Sequence, residues 1–276
     1  MTGPVAFVLG GGGLLGAHEV GMLRALLEAG VMPDFVVGTS VGAVNGVVVA
    51  ADPTPAAIER LAALWRDLES SGLFAGSLLG QLRTLARTRT SLHTGQPLRE
   101  LLDKHLPVTR FDELTVPFQC VAASVERAAE HWFTQGPLVD AVLASCAVPG
   151  LLPPVEVDGE TYLDGGLVHS IPVGRAVLLG ARVLYVLHVG RIERPLTRPR
   201  RPWEVGLVAF EVARRHRFAA DMAALPDGVS AHVLPTGADE RPADLRSQLR
   251  YRDTAAIGER IDSAYAASRD FLRNLG

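Results

Sequence analysis

Residues 35–51 read FVVGTSVGAVNGVVVAA and form the longest apolar stretch of the 276-residue chain. The stretch is shorter than a membrane span and contains Gly, Ser and Asn, so it predicts a buried strand followed by a buried helix. GTSVG (38–42) lies at the junction and fits the pattern GxSxG. In a strand-to-helix turn of this spacing, Ser40 is held in a strained, exposed position, and Gly38 and Gly42 keep neighbouring chain segments from clashing with it. The stretch therefore predicts a nucleophilic serine.

The segment VAFVLGGGGLLGAHEV (5–20) also has the pattern of a strand, a loop and a helix. Its residues Gly11, Gly13 and Gly16 fit the dinucleotide fingerprint GxGxxG, but the acidic residue which that fingerprint needs should follow the second strand, and Asp34 precedes it. In acyl transfer, backbone N–H groups with no side chain in the way stabilise the oxyanion, and a helix N-terminus adds a favourable dipole. The glycines therefore predict an oxyanion-binding loop, with a nucleotide-binding module as the alternative.

Strand-like and helix-like segments alternate along the chain, which predicts a mostly parallel sheet covered by helices on both faces. Predicted strands lie at 5–9, 35–38, 118–124, 182–190 and 231–235, a hairpin at 155–166, and helices at 16–28, 41–51 and 253–274. We predict one domain over 1–276, with a helical insertion at about 55–107 and a C-terminal helical region at about 203–276. The part of the insertion at 73–105 is either a lid or acyl-chain pocket over the serine, or plain scaffold.

Charge, cysteine count and the N-terminal sequence indicate which partners and which cellular compartment to expect. The formal net charge of −3 gives no general attraction to nucleic acid. Cys120 and Cys146 are too few for a disulfide framework and are expected to pack as small hydrophobic residues. Glycines interrupt the first apolar run, so no signal peptide is predicted and we expect a cytoplasmic protein. The arginine-rich segment RIERPLTRPRRPW (191–203) is either a contact for an anionic membrane surface or a solvated loop.

A serine nucleophile needs a base. The order Ser, acid, His of the α/β-hydrolases leaves three late histidines, none in a distinctive setting: His188, His216 and His232. Asp164 follows a strand-like segment and precedes Gly165 and Gly166, so a tight turn leaves its side chain free to project into a cleft. In one interpretation, Asp164 takes the serine proton, which requires that burial raises its pKa and that it lies within hydrogen-bond reach. In the other, Asp164 and Gly165 only form a turn and have no catalytic role. From these residues alone, both interpretations stay open.

Three motifs in order, GGGGLLG (10–16), GTSVG (38–42) and LDGG (163–166), resemble those of the patatin-like phospholipases, which are Ser-Asp dyad lipid acyl hydrolases. The resemblance extends to ASCAVPG (144–150) and DGGLVHSIP (164–172), and it covers roughly residues 5 to 190. It implies a three-layer α/β/α sandwich and an enzyme that needs no histidine, metal or cofactor. It also implies a lipid or other ester substrate and an acyl-enzyme intermediate.

Carried over position by position, the resemblance makes Ser40 the nucleophile and Asp164 the general base, and it assigns the oxyanion hole to the N–H groups of Gly11, Gly12 and Gly13. One position departs from the pattern. Members of the family commonly carry a basic residue just before the last glycine of the loop, and this chain has Leu15 there. A cation at that point contacts a phosphate or steadies the loop. We therefore predict a hydrolase of lipid-like esters, with phospholipids as one class of substrate.

Overall fold

The computed structural model describes residues 3–70, 90–189, 195–237 and 257–275. Within these ranges one sheet has the strand order β5-β6-β3-β2-β1-β7-β8, and β4 pairs with β3 as well. The strands are β1 (Val5–Leu9), β2 (Phe35–Thr39), β3 (Phe118–Ser124), β4 (Ala129–Phe133), β5 (Val155–Val157), β6 (Glu160–Asp164), β7 (Val183–Leu187) and β8 (Ser230–Val233). Strands β3, β2, β1, β7 and β8 pair in parallel, whereas β4, β5 and β6 pair antiparallel to their neighbours. The predicted, mostly parallel sheet is confirmed.

Nine α-helices are described around this sheet in the same ranges. They are α1 (Ala17–Glu28), α2 (Val41–Ala51), α3 (Pro55–Ser70), α4 (Gln96–His105), α5 (Leu138–Ser145), α6 (Gly166–His169), α7 (Val173–Leu178), α8 (Pro202–Ala223) and α9 (Ile257–Leu275). Two 3-10 turns lie at Gly13–Gly16 and Phe111–Glu113.

The two faces of the sheet pack against two separate apolar clusters. Because side chains alternate along a strand, Phe7 and Leu9 of β1 enter the cluster shared with α1, α2, α3 and α5. Ala6 and Val8 enter the other cluster, which includes residues of α7 and Phe218 of α8. Burial on both faces explains why the central strands read as nearly continuous apolar runs. The three-layer α/β/α arrangement is confirmed.

Strand β3 brings together the ends of two strands that are distant in sequence. β4 occupies one edge of β3 over Cys120–Ser124, so the other partners of β3 share the opposite edge. β2 pairs along that edge up to Thr39, which lies opposite Val121. β6 takes over at the next residue, where Asp164 lies opposite Ala122. The residue that follows β2 and the last residue of β6 therefore meet at one point of the sheet.

Several details differ from the sequence-based expectations. The apolar segment near 139–147, to which no element was assigned from the sequence, contributes to α5. The hairpin was predicted, and its turn lies at Asp158 and Gly159, which both have the positive φ (50° and 79°) that a two-residue turn requires. β4 was not predicted, because most of AEHWF is exposed or half-buried and lacks an apolar pattern. β8 (Ser230–Val233) agrees with the strand predicted at 231–235 to within two residues. Residues 73–89 of the 73–105 segment, for which the lid and scaffold interpretations were left open, and residues 191–194 of the arginine-rich segment lie outside the described residues.

Candidate active site

Ser40 is the single residue between β2, which ends at Thr39, and α2, which begins at Val41. Its φ of 55° lies in the left-handed region, which is strained for a side chain other than glycine. The flanking glycines allow the tight turn: a Cβ on Gly38 would lie 2.6 Å from the carbonyl oxygen of Gly42, and one on Gly42 2.5 Å from that of Leu9. The structure therefore has the sharp strand-to-helix turn that GTSVG predicts.

Asp164 lies beside this serine at the junction along β3. Ser40 Oγ donates a hydrogen bond of 2.7 Å to Asp164 Oδ2, and the Gly166 N–H donates one of 2.6 Å to Oδ1. Both side chains are buried. Burial raises the pKa of Asp164 to about 6, although the two hydrogen bonds act to lower it. A raised pKa makes this carboxylate a stronger base than an exposed aspartate.

The last residue of α5 and the loop that follows it hold both residues in place. Ser145 Oγ accepts the N–H of Ser40 at 2.8 Å, and the carbonyl oxygen of Ala147 accepts the N–H of Asp164 at 2.9 Å. The carbonyl oxygen of Ser145 also accepts the N–H of Gly165, at 3.2 Å. No role was predicted for Ser145, and the only signal was a polar residue within the apolar ASCAVPG segment. Residues 145–147 therefore link Ser40 to Asp164 through backbone and hydroxyl contacts.

The glycine-rich loop passes directly beside Ser40, and a Cβ on Gly11 would lie 3.4 Å from the Cβ of Ser40. The Gly11 N–H donates to the carbonyl oxygen of Ser170 at 2.8 Å. The prediction that this N–H belongs to the oxyanion hole therefore needs correcting, because the donor is already engaged. The N–H groups of Gly12 and Gly13 have no acceptor among the described residues, and both glycines line the same cavity as Ser40.

A cavity of about 500 Å³ opens over the serine. Its wall is mainly apolar and includes Leu14, Val44, Leu64, Trp65, Leu152 and Phe210. Leu64 and Trp65 belong to α3, so a described part of the predicted helical insertion lines the site. Beside Asp164, the cavity carries two further charged side chains, Glu211 and Arg214. A cavity of this size and polarity fits an acyl chain.

A buried polar network lies behind the loop. Asn45 Nδ2 donates to Glu19 Oε2 at 2.7 Å and to the carbonyl oxygen of Gly16 at 3.0 Å, while Trp65 Nε1 donates to Asn45 Oδ1 at 3.0 Å. Burial raises the pKa of Glu19 well above its ordinary value, against the opposing hydrogen bond from Asn45. The network ties the last glycine of the loop to α1, α2 and α3.

The alternative interpretations find less support in the geometry. Among the described residues, the hydrogen bonds of Ser40 and Asp164 involve no histidine. Burial and the charge of Arg214 lower the pKa of His188 to about 4, and His216 is exposed. Asp34 accepts the N–H of Val5 at 2.6 Å, at the start of β1. Because the glycines follow the other end of β1, this carboxylate does not lie at the loop, where a ribose would need it.

The described ranges include both cysteines of the chain. Cys120 and Cys146 are buried free thiols, as predicted. The described residues contain no group of three or more His, Cys, Asp or Glu side chains that could hold a metal ion. No helix in the described part of the chain has both the length and the apolar character needed to cross a membrane.

Comparison with known proteins gives consistent matches. The family described as Patatin-like phospholipase matches residues 7–177. The chain is 33% identical over 195 residues to the patatin-like phospholipase domain-containing protein ZK370.4 of Caenorhabditis elegans, covering 68% of this chain and 14% of that protein. It is 30% identical over 189 residues to lysophospholipase nte1 of Aspergillus terreus, covering 68% of this chain and 12% of that protein.

A solved structure is also similar to this chain: VipD from Legionella pneumophila has a TM-score of 0.49 and 15% identity, over 99% of this chain and 67% of that one. In both curated relatives, the matched region is a small fraction of a much longer protein. The family match nevertheless spans more than half of the present chain, from β1 to α7. It includes the serine turn, the glycine-rich loop and the LDGG segment. The chain therefore belongs to the patatin-like phospholipase family.

Proposed function

We propose that this protein hydrolyses carboxylic esters of lipids through a Ser40–Asp164 dyad and an acyl-enzyme intermediate. One observation carries the proposal: Ser40 Oγ donates a 2.7 Å hydrogen bond to Asp164 Oδ2 in a cavity of about 500 Å³. The serine sits in a strained turn at the N-terminus of α2, and the carboxylate has a pKa raised by burial. These are the properties that a nucleophile and its base require.

The proposed reaction proceeds in two halves. Ser40 Oγ attacks the ester carbonyl carbon, its proton passes to Asp164, and the N–H groups of Gly12 and Gly13 stabilise the oxyanion. Collapse of this intermediate expels the alcohol, which takes the proton from Asp164, and leaves the acyl group on Ser40. A water molecule then attacks the acyl-enzyme and gives a proton to Asp164. Ser40 recovers that proton as the fatty acid leaves, so the dyad is regenerated.

The substrate proposed is a lipid ester whose acyl chain occupies the apolar part of the cavity. Leucine and valine side chains and Trp65 form this part, so an extended hydrocarbon chain buries apolar surface there without leaving a polar group unpaired. The names of the relatives, a lysophospholipase and a patatin-like phospholipase domain-containing protein, support a lipid substrate. We therefore expect longer acyl chains to be preferred over acetate.

The test is hydrolysis of 4-nitrophenyl esters of increasing acyl length, together with labelling by a fluorophosphonate. We expect kcat/KM to rise with chain length up to the size of the cavity, and the probe to label the wild type but not Ser40→Ala. Ser230→Ala is a matched control, since it removes the hydroxyl of a serine on β8 that does not line the cavity, and it should still label. Labelling that persists in Ser40→Ala would exclude Ser40 as the nucleophile.

We further propose that α8 contacts an anionic membrane surface. Val205 and Val212 lie seven residues apart on this helix and are exposed by 54% and 52%, while Phe210 of the same helix lines the cavity. The described segment before α8 carries three arginines, Arg198, Arg200 and Arg201. An apolar helix face beside basic residues is typical of peripheral binding to anionic lipid.

Vesicle sedimentation tests this contact. Wild-type protein should bind vesicles containing phosphatidylserine more strongly than pure phosphatidylcholine vesicles, and binding should weaken with salt. Val205→Asp should reduce binding, while hydrolysis of a soluble short-chain ester stays unchanged. Equal binding of the wild type and Val205→Asp would show that α8 does not form the contact.

A further inference from the structure

The glycine-rich loop contains no cation of its own, since its residues 10–16 read GGGGLLG. The fold supplies one from a distant part of the chain: Arg214 of α8 donates from Nη1 to the carbonyl oxygen of Gly11 at 3.3 Å. We infer that Arg214 is a positioning residue that orients the oxyanion-binding N–H of Gly12 by holding the Gly11 carbonyl. This inference rests on the proposed function and adds a residue that none of the sequence motifs contains.

The contact with Arg214 acts on the peptide unit between Gly11 and Gly12. The carbonyl of Gly11 and the N–H of Gly12 belong to the same planar, trans peptide, so they point in opposite directions. A donor that fixes the carbonyl therefore also fixes where the N–H points. The guanidinium charge polarises the peptide as well, which strengthens the N–H as a donor. Since the Gly11 N–H is bound to the Ser170 carbonyl at 2.8 Å, both peptide units that flank Gly11 are held.

Fixing the peptide is needed because glycine has more backbone freedom than any other residue. An oxyanion donor is effective only when it is already aimed at the developing charge and does not reorganise during the reaction. The N–H of Gly12 has no acceptor among the described residues, so no bond of its own holds it. A contact on the other side of the same peptide provides the restraint.

Arg214 is itself held rigidly. Its side chain is 5% exposed, and its Nε and Nη2 donate to the two oxygens of Glu211 at 3.1 and 3.3 Å. Arg215 donates to the same carboxylate at 3.3 Å. Burying a charged pair costs free energy, so the Arg214–Glu211 pair is weak evidence for a role in stability. Because both side chains line the cavity, a role in positioning the Gly11 carbonyl explains their burial better.

A second role for Arg214 is separable by the choice of substrate. Because Arg214 lines the cavity, it also lies where an anionic group of a substrate would enter. Binding of such a group would affect KM for an anionic lipid and leave a neutral ester unaffected. Positioning of the Gly12 N–H would lower kcat for a neutral ester, since the oxyanion forms with every ester.

The experiment measures kcat and KM for a neutral 4-nitrophenyl ester. Arg214→Met would remove two of the three hydrogen bonds to the buried carboxylate of Glu211 and leave only the one from Arg215, so the double variant Arg214→Met/Glu211→Leu is used to keep the fold. We expect its kcat to fall about 10- to 100-fold, a part of the loss that follows removal of a whole oxyanion donor, with KM within about twofold. Arg214→Lys should recover part of kcat. The matched control Arg217→Met removes another guanidinium of α8, one that pairs with Asp221 and Glu130 and does not line the cavity, and it should keep wild-type kcat.

The outcomes separate this inference from the proposed function. A double variant that is folded by circular dichroism and keeps wild-type kcat overturns the role of Arg214, while loss of turnover in Ser40→Ala still supports the dyad. An equal fall of kcat in Arg217→Met also overturns it, since the effect would then belong to the helix and not to the contact with Gly11. A wild type that neither hydrolyses esters nor reacts with a fluorophosphonate overturns the proposed function, and this inference with it.

Discussion

Two buried carboxyl groups lie on either side of the glycine-rich loop, and they differ in what they touch. Asp164 is 3% exposed and Glu19 is fully buried, and burial raises the pKa of both. Asp164 accepts a hydrogen bond from the Ser40 hydroxyl and lines the cavity. Glu19 accepts one from the amide of Asn45 and does not line the cavity.

A raised pKa does not by itself make a buried carboxylate a catalytic base. Desolvation makes either carboxylate a stronger base, but a base acts only on a proton within hydrogen-bond reach. Asp164 has that reach because β2 and β6 share one edge of β3, while Glu19 stands in the first turn of α1 and faces an amide. We therefore expect Asp164 to serve chemistry and Glu19 to serve the shape of the loop.

The largest expected effect comes from removing the carboxylate charge at each position. Asp164→Asn should lower kcat on the order of 10⁴-fold, because the serine loses its base. Glu19→Gln is the matched control and should stay within about threefold of the wild type. Both are read from the hydrolysis of a 4-nitrophenyl ester. If Glu19→Gln lost as much activity as Asp164→Asn, the distinction between the two acids would fail.

The pH dependence of kcat/KM should follow Asp164. Protonated Asp164 cannot accept the serine proton, so activity should fall about tenfold per pH unit below its pKa of about 6. The same acid limb should appear in Glu19→Gln. An acid limb shifted by more than one unit in Glu19→Gln would mean that Glu19 controls the titration.

The activity of Asp164 should carry a cost in stability. Its pKa is raised from 3.8 to about 6 on folding, so the folded state binds more protons than the unfolded state between these values. Its contribution to stability is therefore present at low pH and is lost as pH rises through about 6, by about 3 kcal/mol in all. Asp164→Asn has no charge to lose and should be more stable than the wild type at pH 8.

Urea unfolding of both proteins at pH 5 and pH 8 measures this difference. The gap in the free energy of unfolding between Asp164→Asn and the wild type should widen toward pH 8. A wild type that is equally or more stable than Asp164→Asn at pH 8, with the same change between the two pH values, would show that burial does not raise this pKa.

The smallest expected effect concerns the network around Glu19. Trp65→Phe removes the indole donor and leaves Asn45 Oδ1 buried without it, which should lower the free energy of unfolding by about 1–3 kcal/mol. Because Trp65 also lines the cavity, the smaller ring should move the preferred ester toward longer chains. Trp132→Phe is a control for the loss of an indole elsewhere, since Trp132 Nε1 has no hydrogen-bond partner among the described residues. Unchanged stability in Trp65→Phe would show that the network does not hold the loop.

Elements whose signals are local could be predicted from the sequence. GTSVG predicted the turn at Ser40, the apolar runs predicted β1 and β3 at their observed bounds, and residues 155–166 were predicted to form the hairpin that the structure shows. These signals are readable because backbone conformation at a turn or a buried strand depends on a few consecutive residues. β4 could not be predicted in this way because its sequence has no apolar pattern, and it is a strand because it pairs with β3.

Which groups meet depends on the tertiary structure. The motifs marked Ser40 and Asp164 separately and only the family resemblance paired them, whereas the shared edge of β3 brings Ser40 Oγ to 2.7 Å from Asp164 Oδ2. The bond from Gly11 to the Ser170 carbonyl, the contact of Ser145 with Ser40 and the reach of Arg214 to the loop join residues far apart in the chain. Such contacts depend on the register of strands and the packing of helices, which no short stretch of sequence encodes.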